Sequence, residues 1–119
     1  MVTAPRARGF TLPELLTGVA IIAILAGVAA PSMSELLASQ RVKGASTDVF
    51  TALLRTRSEA IKRNRPVTLA PKTADSWADG WTVAHPTADR LLLDHGAVAG
   101  GTIAGPGSVV YLPNGRISG

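Results

Sequence analysis

The chain contains no cysteine. Disulfides, thiolate metal sites and a cysteine nucleophile are therefore excluded, and an exported domain has to be held by packing alone. Aromatic residues are scarce: two tryptophans, two phenylalanines and one tyrosine. That leaves no row of rings on which bases could stack. The two histidines, His85 and His95, each adjoin a proline or glycine in a turn-like context. Neither sits in an HxxH or HExxH pattern, so no metal site is expected. No GxSxG elbow is present, and the glycines around Gly100 and Gly105 lack the basic residue and strand–helix context of a phosphate loop. Nothing in the sequence calls for an enzyme or a cofactor. Acidic residues are also few, eight against twelve basic ones. The basic excess is local, because it falls between Arg41 and Lys72, where only Asp48 and Glu59 oppose it.

What the chain does have is a long apolar run from Phe10 to Ala30 whose single ionisable side chain is Glu14. At about 1.5 Å per residue such a helix matches the hydrocarbon thickness of a bilayer. Arg6 and Arg8 precede the run, and no lysine or arginine follows it before Arg41. That asymmetry predicts a cytoplasmic N-terminus and export of the rest of the chain. A carboxylate within a membrane costs on the order of 3 kcal/mol, so Glu14 needs a partner or a task. A cut between Gly9 and Phe10 would supply one, an α-amino group about one helical turn from Glu14. Pro13 agrees with a helix that starts there, since proline is tolerated in a first turn.

The segment Arg8-Gly9-Phe10-Thr11-Leu12-Pro13-Glu14 resembles the class III signal of type IV pilins and of the pseudopilins of type II secretion. The resemblance implies cleavage after Gly9 by an inner-membrane prepilin peptidase and N-methylation of Phe10. It also implies assembly through Glu14, which would pair with the N-terminal amine of a neighbouring subunit. The family more often has an aliphatic residue where Pro13 stands. The expected organisation is a leader over 1–9, a membrane and assembly half of the helix over 10–31, an amphipathic half over 32–64 and a periplasmic sheet region over 65–119. Expected partners are other pilins or pseudopilins in a filament, the peptidase, an inner-membrane assembly platform and the lipid bilayer.

Pro31 removes one backbone hydrogen bond next to Gly27, which predicts either a static kink or a short meltable section between Gly27 and Ser32. Beyond it the periodicity predicts a helix to Asn64. Val42, Ala45, Val49, Leu53 and Ala60 form an apolar line, widened by Phe50, Leu54 and Ile61. Arg41, Asp48, Arg55, Glu59 and Lys62 fall on the opposite, solvated face, and Glu59 precedes Arg63 by four residues. Arg57 lies inside the apolar arc. It either lays its methylenes on the core or pairs with Asp89 or Asp94.

Asn64-Arg65-Pro66 ends the helix. The period then changes to two, with strands expected at 67–69, 81–83, 90–93, 101–103 and 108–112. Turn signals stand at Asp79-Gly80, His85-Pro86, His95-Gly96, Gly105-Pro106-Gly107 and Asn114-Gly115. Trp81 is expected in the core and Trp77 at the surface. The fold class is thus α+β: a long N-terminal helix packed on a small antiparallel β-sheet.

The runs from Arg57 to Asn64, from Pro66 to Leu69, at Gly80-Trp81 and from Tyr111 to Arg116 are similar to the GspH/FimT group of minor pseudopilins and pilins. Two departures stand out. Ala70 occupies the place of the group's usual cysteine, and the chain stops at Gly119 where members add another hairpin. Either the chain is shortened, or a sheet edge is left for a neighbouring subunit. The resemblance implies a minor pseudopilin of the type II secretion system. The alternative is a FimT-like minor type IV pilin that binds DNA for uptake. Arg55, Lys62, Arg63, Arg65, Lys72 and Arg116 are the candidate nucleic-acid or subunit contacts, and phosphate binding by such a patch would be weak and salt-sensitive.

Overall fold

The computed structural model describes residues 8–119, so Arg6 lies outside it. One helix, α1 (Leu12–Arg63), is followed by strands β1 (Val67–Thr73), β2 (Ser76–Ala84), β3 (Leu91–His95) and β4 (Val109–Tyr111). The chain divides into two compact units, one up to Leu37 and one from Ala38 to Gly119.

Among the described residues the first unit is a single helix. Thr11 caps it, its carbonyl accepting from the Leu15 N–H at 3.1 Å. Glu14 reaches back to accept from the Thr11 N–H at 3.4 Å, the reciprocal half of a capping box. Residues 27–32 are helical, and Pro31 lies within α1. Beside it the hydroxyls of Ser32 and Ser34 donate to the carbonyls of Ala29 and Pro31, each at 2.8 Å. No turn of the helix is melted there.

In the second unit the sheet has the order β3-β2-β1-β4. All neighbours are antiparallel, with Leu69 opposite Val83 and Val109, and Val83 opposite Leu93. The helical part ends in a Schellman arrangement. Asn64 takes φ 50°, the Asn64 N–H donates to the Ile61 carbonyl, and the Arg65 N–H donates to that of Ala60.

The core joins Ala52, Thr56 and Ala60 of the helix to Val67 and Leu69 of β1 and Trp77, Trp81 and Val83 of β2. The helix contributes small residues, which let the large side chains of the strands come close. Thr56 satisfies its buried hydroxyl by donating to the Ala52 carbonyl at 2.7 Å. The apolar stripe inferred from periodicity is therefore rotated. Phe50, Leu54 and Ile61 do not widen the core seam but are half or more exposed.

Three local expectations are also corrected. Asp79-Gly80 is not a turn but lies within β2, where the register against β1 shifts between Pro71 and Thr73. The turn is instead at Ala74-Asp75, with Asp75 at φ 61°, a conformation Asp tolerates. Gly80 has φ 99°, and a Cβ on it would collide with the His95 carbonyl and the Gly96 backbone. The bulge therefore requires glycine. Residues 101–103 form no strand, although the Ile103 carbonyl accepts from the Trp77 N–H at 3.2 Å. Trp77 is buried rather than at the surface, and its indole Nε1–H donates to the Pro106 carbonyl at 2.8 Å.

After β4, Pro113 and Asn114 turn the chain, and Ile117 bridges back to Tyr111. The Ser118 N–H donates to the Val110 carbonyl at 2.9 Å. The return segment thus lies along β4, and β3 is the other edge strand.

Candidate assembly and contact sites

The N-terminal site is built from residues that are exposed among the described residues. Arg8, Gly9, Phe10 and Thr11 are exposed and precede the helix, and Phe10 is 85% exposed. Pro13 occupies the second helical position, where no intrahelical hydrogen bond is lost. Glu14 lies in the first turn, where its partner among the described residues is Thr11. From there α1 is long and apolar enough to cross a membrane, and none of its apolar window is buried. Leu12, Ile22, Ile24, Leu25 and Val28 all stand more than half exposed. Apolar side chains around the whole circumference of a helix have no solvated face to offer.

The basic residues of the second unit do not act as one free patch. Arg63 donates from Nε to Glu59 Oε2 at 2.7 Å, and its Nη1 lies 2.7 Å from His85 Nε2. The hydrogen bond from Arg63 holds the Glu59 carboxyl below its usual pKa. Partial burial opposes this, and the charges of Arg63, Lys62 and Arg55 add to it. Lys72 forms an ion pair with Asp94 across the sheet. Arg55, Lys62, Arg65 and Arg116 remain exposed. Arg57 pairs with neither Asp89 nor Asp94. Its guanidinium instead lies over the Asn114-Gly115 turn, where a Cβ on Gly115 would come within 3.0 Å of Arg57 Nε and Ile61 Cδ1.

Both histidines, read from the sequence only as turn residues, connect α1 to the β2–β3 hairpin. His95 stacks on Trp81 with ring centroids 4.1 Å apart and faces Asp48 Oδ2 at 3.3 Å. His85 meets Arg63. Among the described residues no three His, Asp or Glu side chains gather as a metal site would need.

Periodicity also gave no sign of an apolar groove of about 400 Å³ between Val42, Val49 and Phe50 of α1 and Val98 and Ile103 of the loop after β3. Arg41 closes one end by lying against Gly100.

The two units correspond to two separate family signatures. Residues 5–30 match the prokaryotic N-terminal methylation motif. Residues 45–119, more than half of the chain, match the type II transport protein GspH model. The chain belongs to the GspH family. Its fold is similar to the crystal structure of the type IV minor pilin FimU of Pseudomonas aeruginosa. The TM-score is 0.51 and the identity 17%, over 63% of this chain and 62% of that one. The chain thus matches somewhat under two thirds of FimU, and the likeness is one of fold. Among curated proteins none matches the chain. GspH membership and the pilin-like fold identify a structural subunit of the pilin and pseudopilin class. The methylation motif and the uncovered apolar helix support an inner-membrane anchor.

Proposed function

We propose that this GspH-family chain is a minor pseudopilin, a structural subunit of the periplasmic pseudopilus of a type II secretion system. The observation that carries the reading is the pairing of a methylation motif on an apolar, unburied helix with a GspH domain on the rest of the chain. In this reading prepilin peptidase cuts between Gly9 and Phe10 and the new amine of Phe10 is methylated. The leader stays in the cytoplasm and the domain from Ala38 onward faces the periplasm. Among the described residues Glu14 is engaged by its own cap at Thr11. Two hydrogen bonds of 3.4 Å are weak, so the carboxylate can exchange them for the amine of a neighbouring subunit on the assembly platform. A charge pair in hydrocarbon is far stronger than the same pair in water.

Glu14→Ala tests this directly. The variant is expected to be cleaved, with mass spectrometry of membrane-derived protein showing Phe10 as the first residue. It should fail to co-purify with sheared filaments. An intact leader in the wild type, or normal incorporation of the variant, overturns the assignment.

The likeness to a type IV minor pilin favours one second reading, a pilus subunit that captures DNA. The engagement of Arg63 with Glu59 and His85, and of Lys72 with Asp94, takes two of the six candidate cations and leaves Arg55, Lys62, Arg65 and Arg116 exposed. Any binding should be weak and fall steeply with salt. A filter-binding titration across salt concentration distinguishes the two: a steep logarithmic slope supports DNA capture, and no binding at low salt supports the pseudopilus.

A further inference from the structure

We propose that the groove between α1 and the loop after β3 binds a long-chain fatty acid, with the alkyl chain in the groove and the carboxylate on Arg41. Every residue involved belongs to the second unit, so the site goes beyond the filament reading and does not rest on it.

The walls come from two elements. Val42, Ala45, Val49 and Leu53 follow one another at steps of three and four, which sets them in one line on the helix. Val98 and Ile103 of the loop after β3 form the opposite wall. That wall is tied to β2 at two points. The Val98 N–H donates to the Ala78 carbonyl at 2.7 Å, and the Ile103 carbonyl accepts from the Trp77 N–H at 3.2 Å. Its distance from the helix is thus set by the sheet, not by contact across the groove. The volume of about 400 Å³ falls toward the small end of ligand sites, roughly 300–1,000 Å³. It suits one alkyl chain rather than the two of a diacyl lipid. Val49, Leu53, Val98 and Ile103 are half-buried, while Val42 and Phe50 are exposed. A chain laid between them would take all six from water together, which is the driving force for its entry.

Charge sets the polarity of the ligand. Arg41 is the one charged residue that lines the groove, and no carboxylate lines it. Among the described residues Arg41 has no ion-pair partner. Asp48, about two helical turns further on, faces His95, and Glu59 is taken by Arg63. Gly100 seats the guanidinium: it has φ 81°, and a Cβ there would come within 3.0 Å of Arg41 Nη1. Glycine is therefore what lets the arginine lie against the loop at the end of the groove.

A guanidinium presents paired N–H donors that match the two oxygens of a carboxylate. One cation also balances one negative charge, whereas a phosphate monoester brings about 1.5 to 2. A peptide would need partners for its own backbone N–H and C=O groups. The groove offers few, since the Ser46 hydroxyl already donates to the Val42 carbonyl at 2.9 Å.

The test uses the full chain in phosphatidylcholine nanodiscs, at a mildly alkaline pH that keeps the acid ionised. The probe is palmitic acid with a photoactivatable diazirine midway along its chain, and labelled peptides are mapped by mass spectrometry. Residues 42–53 and 98–103 should be labelled in addition to the apolar run over 10–30. Arg41→Gln should lower the groove label about tenfold, the effect of losing a charge-assisted hydrogen bond, and leave the label over 10–30 unchanged. Ala45→Phe, which fills the groove, should abolish the groove label. Neither substitution touches the buried core, and an unmoved thermal midpoint checks that the variants fold. A comparison that needs no variant uses unlabelled competitors: palmitic acid should displace the groove label at about a tenth of the concentration that hexadecanol requires. A wild-type groove without label, equal competition by acid and alcohol, or a groove label indifferent to both substitutions overturns the proposal. A groove label that falls as the number of chains per nanodisc rises overturns it too, and assigns the groove to a second copy of the chain.

Discussion

The same kinds of side chain meet opposite fates in the two units. In the first, Ile22, Ile24, Leu25 and Val28 are 66%, 68%, 63% and 72% exposed. In the second, Val67, Leu69, Trp81 and Val83 are at most 1% exposed. Composition does not explain the contrast, because both units are rich in aliphatic residues. The explanation lies in what each element has to pack against. A strand of the second unit alternates one buried face with one solvated face and finds a helix seam of Ala52, Thr56 and Ala60 opposite. The first unit is one helix, apolar all round, with no second layer. Among the described residues nothing covers its apolar window, whereas the second unit supplies its own interior.

The comparison can be broken by substitutions that should affect one unit and spare the other. Trp81→Ala has the largest expected effect. It removes the largest fully buried side chain, and such truncations cost about 3–5 kcal/mol. A core this small has little stability beyond that. Near-ultraviolet circular dichroism should lose its cooperative transition, while the protein still sediments with membranes. Ile22→Asp is the converse. A carboxylate at mid-helix costs about 2.5–3.5 kcal/mol of membrane insertion and should release the chain into the soluble fraction with the thermal transition of the second unit unchanged. Coupled loss in either variant would mean that the units are not independent.

Glycines sharpen the contrast at a smaller scale. Gly18, in the first unit, has nothing within 4 Å of an added Cβ, whereas Gly80 meets the backbone of His95 and Gly96 at φ 99°. Gly18→Ala should leave the second unit's thermal midpoint unmoved and raise helicity slightly, as alanine exceeds glycine by about 1 kcal/mol in helices. Gly80→Ala should lower the midpoint by the equivalent of about 1–3 kcal/mol. Equal effects would remove the case for a bulge that demands glycine.

Much of this architecture was legible in the sequence, and the misses share a cause. The apolar run, the end of the helix at Asn64, four of the five strand cores and the turn at Asn114-Gly115 all follow from local chemistry. So would the capping box, since the spacing from Thr11 to Glu14 is its signature, had Glu14 not been read only for its charge. The helix seam was misplaced because Ala52 and Thr56 carry little hydropathy, while Phe50, Leu54 and Ile61 carry much. Periodicity finds where apolar area is, not which part of it the sheet covers. Asp79-Gly80 was misplaced because a bulge and a turn use the same residues. The histidine contacts were invisible because His85 and Arg63 are 22 residues apart and only the tertiary fold brings them together.

Arg57 is where the smallest effect carries a distinct lesson. Its position within the apolar arc suggested either methylenes laid on the core or an ion pair with Asp89 or Asp94. The side chain is exposed, Asp94 is taken by Lys72, and the guanidinium rests on the Gly115 turn beside Ile61. What the substitution removes is therefore the cover of methylenes and a planar head over a turn that β4 and the return segment already hold by backbone hydrogen bonds. Exposed arginines with such roles contribute about 0–1 kcal/mol. The midpoint should fall by no more than a degree or two, well short of the change from Gly80→Ala. A drop as large as that of Gly80→Ala would mean that the face of Phe50, Leu54 and Ile61 is part of the second unit's own support.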